Sequence, residues 1–182
     1  GQGMDCEVIA VGTELLLGQI VDTNSSWIGE QLALAGVASH HQTKVGDNWS
    51  RIEEALKLGL ERSDAIIVCG GLGPTQDDIT RDVLADVVTS DLVLDDAIAD
   101  RIRDMFRSRG RDMPDNNLRQ AMVPEGARTM DQQPGTAPGL VVPVPVSGGD
   151  DEVIYAVPGV PYEMKEMILG TVLPDLQRRS GV

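Results

Sequence analysis

Basic residues are scarce in this chain. Lysine and arginine number 15 among 182 residues, against 29 aspartates and glutamates, for a formal charge of −14. No run of more than two basic residues interrupts that acidity, which argues against a nucleic-acid partner or an anionic membrane surface. An anionic ligand must therefore be gripped locally, by backbone N–H groups or by a bound cation. Cysteine is almost absent. Cys6 and Cys69 each fall inside an apolar run, give no disulfide framework, and fit a reduced, cytoplasmic setting. The only histidines, His40 and His41, are adjacent, so on an extended chain they face opposite ways and cannot form one site. No apolar stretch approaches the ~20 residues of a membrane span, and no secretory signal is expected. There is no Ser-His-Asp or Cys-His set, no G-x-x-x-x-G-K-[ST] phosphate loop, no internal repeat and no low-complexity tract.

What remains is enough for one sizeable core, so a single domain over residues 4–182 is expected. Gly1-Gln2-Gly3 ahead of Met4 reads as a cloning remnant. The centre of the chain is Asp64-Ala65-Ile66-Ile67-Val68-Cys69 followed by Gly70-Gly71-Leu72-Gly73-Pro74-Thr75-Gln76-Asp77-Asp78. The apolar run predicts a strand covered on both faces, and Ile79, Val83 and Val87 predict an amphipathic helix after it. Glycines between a buried strand and a helix make an anion site, since ligand can approach the backbone and the helix's first free N–H groups face the turn. Asp77 and Asp78 would repel a bare phosphate, so a phosphorylated ligand there calls for a metal ion.

Glu7 to Val11 predicts the first strand, and Leu15 to Val21 a loop. Asp22-Thr23-Asn24-Ser25 offers N-caps for a helix with Ile28, Leu32 and Ala35 inward, ending at Gly36. Val37 to Val45 predicts a strand near an edge. The next helix buries Ile52, Leu56 and Leu60, and starts either at Asn48 or at a capping box of Ser50 with Glu53. Leu92 to Leu94 is a brief extended piece, and a fourth helix carries Ile98, Ile102, Met105 and Phe106. Residues 111–139 predict a long irregular segment with a helical turn near Leu118 to Met122. Leu140 to Val146 and Glu152 to Val157 predict a hairpin, and Pro161 opens a last helix that Pro174 breaks or kinks. The order predicts a three-layer α/β/α sandwich with a mostly parallel sheet and a C-terminal β-hairpin.

Four predicted strands end in glycine or Pro-Gly, at Gly12, Gly46, Gly70 and Pro158-Gly159. In a parallel sheet these ends share one edge, where open α/β sheets bind ligands. Glu14, Asp47, Asp77 and Asp78 thereby become candidates for one acidic pocket. Each has a plainer role open to it. Asp78 can complete a capping box with Thr75, Asp47 can cap a helix, and Thr80 can simply stabilise a first turn. Trp27 and Trp49, expected to open helices, are more simply packing residues than base-stacking ones.

Gly70 to Thr80 resembles the GG-x-G-P-x-x-x-D-x-T signature of molybdopterin-binding and molybdopterin adenylyltransferase domains. More closely, the chain resembles the amino-terminal domain of the competence/damage-inducible protein A family. The resemblance is carried by Val11 to Gly18, Thr23-Asn24, Val45 to Asn48, Asn117 to Pro124, Gly135 to Gly139 and Pro158 to Met164. It implies the three-layer fold, self-association into a homo-oligomer, and metal-assisted hydrolysis of ADP-ribose to AMP and ribose 5-phosphate. The other implied reading is a molybdopterin- or nucleotide-binding module without turnover. Asp47 and Asp78 match the family's two site aspartates, with Asp77 beside them as a third metal ligand. Gly12, Thr13, Glu14, Asn24, Gly70, Gly71, Gly73, Pro74, Thr75, Thr80, Gly135, Thr136, Ala137, Pro138, Gly139, Pro158 and Gly159 are the implied ligand-binding residues. Leu72 stands where the adenylyltransferases usually carry threonine, and Asp77 where arginine is common. Full-length members usually add a nicotinamide-nucleotide amidohydrolase domain, which this sequence does not contain.

Overall fold

The computed structural model describes residues 4–13 and 19–181. Six strands form the main sheet: β1 (Cys6–Val11), β2 (Gln42–Val45), β3 (Ala65–Cys69), β6 (Arg128–Thr129), β7 (Leu140–Val144) and β8 (Glu152–Val157). Their order is β2-β1-β3-β8-β7-β6. The first three pairings are parallel, and β7 and β6 run antiparallel at the far edge. The register aligns the strand ends: Val11 pairs with Val45, Ala10 with Cys69, and Cys69 with Val157. Four carboxyl ends therefore finish at one edge, as the repeated terminal glycines predicted.

The unbroken apolar runs follow from helices on both faces. Val8, Ile67, Tyr155 and Val157 pack against Ile28 and Leu32 of α1 (Gln19–Leu34). Met164 of α5 (Pro161–Met167) and Leu176 of α6 (Leu173–Ser180) complete that face. Ile9, Ile66, Val68 and Ile154 face the other way, onto Ile52 and Leu56 of α2 (Trp49–Arg62) and Val83 and Leu84 of α3 (Thr80–Val87). Strand neighbours thus bury into opposite layers, and a period-two alternation has nothing polar to show.

Several sequence-based expectations are corrected. α1 begins at Gln19, so residues 19–21 are helical, Asp22 to Ser25 are not caps, and Trp27 lies inside the helix. The edge strand is shorter than Val37 to Val45. Gly36, at φ 76°, ends the helix, and only an isolated Asp5–Ala38 bridge precedes β2. Residues 111–139 are not irregular throughout. A 3₁₀ helix spans Asp115–Ala121, and β5 (Met122–Pro124) pairs antiparallel with β4 (Leu92–Leu94). With α4 (Asp96–Ser108) these enclose a small separate core of Ile98, Ala99, Ile102 and Ala121. The last helix is interrupted by a π-turn over Ile168–Val172, just before Pro174. Among the described residues no helix is long and apolar enough to cross a membrane.

Candidate functional site

Beyond the aligned strand ends lies a cavity of about 690 Å³. β1 contributes Gly12 and Thr13, β2 contributes Asp47, and β8 contributes Pro158 and Gly159. The turn after β3 supplies Gly70, Gly71, Gly73, Pro74, Thr75, Asp77 and Asp78, while α1 adds Asn24. Thr136 and Ala137 close one side. Other proposed residues do not line it. Thr80 is fully buried and its hydroxyl donates to the Gly70 carbonyl at 2.8 Å, so it cannot reach a phosphate. Pro138 and Gly139 are buried behind the wall, with a Gly139 Cβ position only 2.6 Å from Met130 Sδ. Gly135 lies beneath the carboxylate of Glu163, where a Cβ would collide. Glu14 falls outside the described residues.

The glycine turn is longer than its sequence suggested. α3 does not begin at a Thr75–Asp78 capping box. Asp78 Oδ2 accepts from Thr75 N–H at 2.9 Å and Thr75 Oγ1 at 2.7 Å, closing a turn two residues before the helix. The first helical amide, Thr80 N–H, is spent on Gly71 O at 3.2 Å. The free N–H donors at this turn therefore belong not to the helix end but to the loop itself. Gly70 N–H bonds Val157 O, whereas among the described residues the amides of Gly71, Leu72 and Gly73 have no acceptor.

The wall carries a cluster of negative charge, and among the described residues none of its three acids makes an ion pair. Burial raises the pKa of Asp47, and the nearby Asp78 and Asp77 carboxylates raise it further. Three acids therefore share one rim. Among the described residues no group of three or more His, Cys, Asp or Glu is placed to hold a metal ion. The chemistry fits a hard cation held by one or two of these carboxylates, with oxygens of a phosphorylated ligand completing its shell. Asn24, 3% exposed, donates Nδ2–H to Gly159 O at 2.8 Å, but its Oδ1 is buried with no donor among the described residues. An unsatisfied acceptor in a cavity wall is costly unless a ligand hydroxyl or amine bonds it. Cys69 is not a nucleophile: burial pushes its thiol up to about 12, against the Asn24 hydrogen bond, and its Sγ–H donates to Pro158 O.

Reading the sequence missed Ala10, Val11, Cys69, Gln120 and Glu163 as wall residues. Gln120 and Glu163 lie within the quoted blocks, but no spacing rule brings a 3₁₀ helix or the start of α5 to this edge. Burial raises the pKa of Glu163.

Residues 7–178 match the family described as "Probable molybdopterin binding domain". A relative from Symbiobacterium thermophilum, whose name places it among the competence-damage inducible proteins, is 47% identical over 98% of the chain and 41% of its own length. A CinA-like protein from Frankia casuarinae is 44% identical, again over 98% of the chain and 41% of the relative. The chain thus spans well under half of the curated relatives it matches. Among solved structures, the CinA protein of unknown function from Thermoplasma acidophilum has a TM-score of 0.82 at 32% identity, covering 96% of this chain and 98% of that one. The tungsten-cofactor-synthesizing MoaB of Pyrococcus furiosus shares the fold, with a TM-score of 0.62 at 16% identity over 98% of each chain. With its strand-end cavity and its matched length, the chain belongs to the molybdopterin-binding domain family, in the CinA branch.

Proposed function

We propose that this cavity binds a nucleoside diphosphate derivative and hydrolyses its pyrophosphate, ADP-ribose giving AMP and ribose 5-phosphate. The observation that carries the reading is the meeting of two opposite needs in one cavity. Among the described residues the Gly71–Gly73 amides have no acceptor, and no ion pair is made by the Asp47, Asp77 and Asp78 carboxylates. A diphosphate with a divalent ion answers both. Asp78, with Asp47 or Asp77, would hold that ion, whose charge neutralises the diphosphate and makes an attacking water more acidic. Asp47, beside the other two acids in the cavity wall, takes the water's proton. The loop amides hold one phosphate and stabilise charge on the leaving oxygen. Asn24 Oδ1 accepts from a hydroxyl or amine of the ligand.

Incubating the protein with ADP-ribose and a panel of divalent ions, and assaying AMP, tests the reading. Asp78→Asn should lower turnover by about 100-fold or more; full turnover in that variant would remove Asp78 from the site. A second reading is favoured by the lack of a three-ligand cluster among the described residues. In it the same cavity binds a pterin or nucleotide without turnover. Calorimetric binding of molybdopterin or ADP-ribose with no product over hours would select it. Self-association into a homo-oligomer belongs to either reading, and light scattering would measure it.

A further inference from the structure

Behind the glycine loop, on the side away from the cavity, lies an arginine that the ligand-binding reading does not use. Arg81 of α3 is 2% exposed. Its Nη2 donates to Leu72 O at 2.7 Å, while Nε and Nη1 have no partner among the described residues. Burial lowers its pKa to about 10; Asp82 and Asp78 oppose that shift through space, and Arg119 adds to it. Asp82 pairs instead with Arg119, at 3.3 Å. A buried guanidinium bonded only to a carbonyl is expensive, and packing alone would be better served by an apolar side chain.

The loop's carbonyls show what the arginine does. All described peptide bonds are trans, so each unit's N–H points opposite to its C=O. Gly70 O accepts from Thr80 Oγ1, Gly71 O from Thr80 N–H, and Leu72 O from Arg81. Gln120 Nε2 makes a longer contact to Leu72 O, at 3.4 Å. Positive φ at Gly70 (110°) and Gly71 (73°) lets consecutive carbonyls share a side. With three carbonyls drawn toward α3, the N–H groups of Gly71, Leu72 and Gly73 face away from it. The cavity is lined by Gly70 to Pro74 but by neither Thr80 nor Arg81, with Gln120 at its wall reaching the Leu72 carbonyl from the edge. Arg119 repeats the device further along, donating to Thr75 O at 2.9 Å and Asp78 O at 3.1 Å.

We propose that Thr80 and Arg81 are positioning residues, which from behind the loop turn three successive amides into the cavity as a cradle for a phosphate group. The charge on Arg81 also polarises the Leu72–Gly73 unit, making its N–H a stronger donor, and offsets part of the repulsion from the acidic rim. This rests on the phosphorylated-ligand reading above, and the test separates the two.

Amide resonances of ¹⁵N-labelled protein are followed while ADP is added, with and without Mg²⁺. In the unaltered protein the Gly71, Leu72 and Gly73 amides shift; if none responds, both the cradle and the ligand reading fall. In Arg81→Met the Gly73 response is lost and ADP affinity falls by about 10- to 100-fold, while strand amides keep their positions. Thr80→Val loses the Gly71 response and keeps that of Gly73. Arg81→Lys, which keeps the charge and one donor, recovers part of the affinity, and with Thr80→Val it carries the comparison should Arg81→Met not fold. A merely structural arginine would lower thermal stability yet leave the folded protein's affinity and its Gly73 response unchanged. That result overturns the positioning role and leaves the ligand reading standing.

Discussion

At the carboxyl end of β2, Asp47 is half-buried, and its pKa is raised by that burial and by Asp78 and Asp77. A carboxyl whose folded pKa is raised contributes stability below its unfolded value of about 3.9, and that contribution is lost as pH rises through the folded value. Asp47→Asn is therefore expected to raise Tm at pH 7 and to change it little near pH 3, as calorimetry at the two pH values will show. Gly70 is constrained differently. Its φ is 110°, and a Cβ there would collide with the Val11 carbonyl oxygen, a backbone atom that cannot swing aside. Gly70→Ala should cost about 3 kcal/mol or more, a fall of roughly 6–12 °C in Tm. That a glycine was needed after β3 was legible from the Cys69-Gly70-Gly71 run. That Val11 forbids a side chain was not, because the contact spans the β1–β3 pairing.

Among the elements, α2 shows how local chemistry decides between rival helix starts. Asn48 Oδ1 accepts from Arg51 N–H at 3.1 Å, so Asn48 is the cap and the Ser50–Glu53 box is not used. Asn48→Ala should cost about 1 kcal/mol, with Ser50→Ala near neutral; urea unfolding of both variants makes the comparison. α1 shows the opposite outcome. Its four consecutive cap-type residues, Asp22 to Ser25, lie inside the helix, and Asn24 there bonds Gly159, 135 positions away. Polar residues that would begin a helix in isolation are kept inside this one by a tertiary partner. β5 and β6, of three and two residues, are too short to show an alternation, so residues 111–139 read as a long irregular segment.

Across the whole molecule, two buried acids tie the layers together. Asp175 of α6 accepts from Tyr155 OH of β8, from Arg179 Nε at 2.7 Å, and from Arg178 and Arg128 at 3.1 Å each. Glu7 of β1 accepts from Ser63 and from both Nε and Nη2 of Arg62. Burial pushes both carboxyls up, but these hydrogen bonds and guanidinium charges more than offset it, and both pKa values are lowered. A depressed folded pKa contributes stability above the unfolded value, about 3.9 for Asp and 4.3 for Glu, that is lost as pH falls through the folded one. Tm is thus expected to drop steeply below about pH 4, and Asp175→Asn should flatten that drop. Removing the acid outright, Asp175→Ala, leaves the buried Tyr155 hydroxyl unpaired and should cost about 1–3 kcal/mol at neutral pH.

The layer order, the shared edge and the acids around it were set by local pattern. Apolar runs closed by Gly12, Gly70 and Gly159, beside a more polar edge run closed by Gly46, point to strands ending at one edge, because burial on both faces and glycine turns are properties of contiguous residues. Tertiary structure alone decided where the loop's dipoles point. That depends on which carbonyls Thr80, Arg81 and Arg119 capture, and hydrogen bonds spanning 9 to 44 positions leave no period in a sequence.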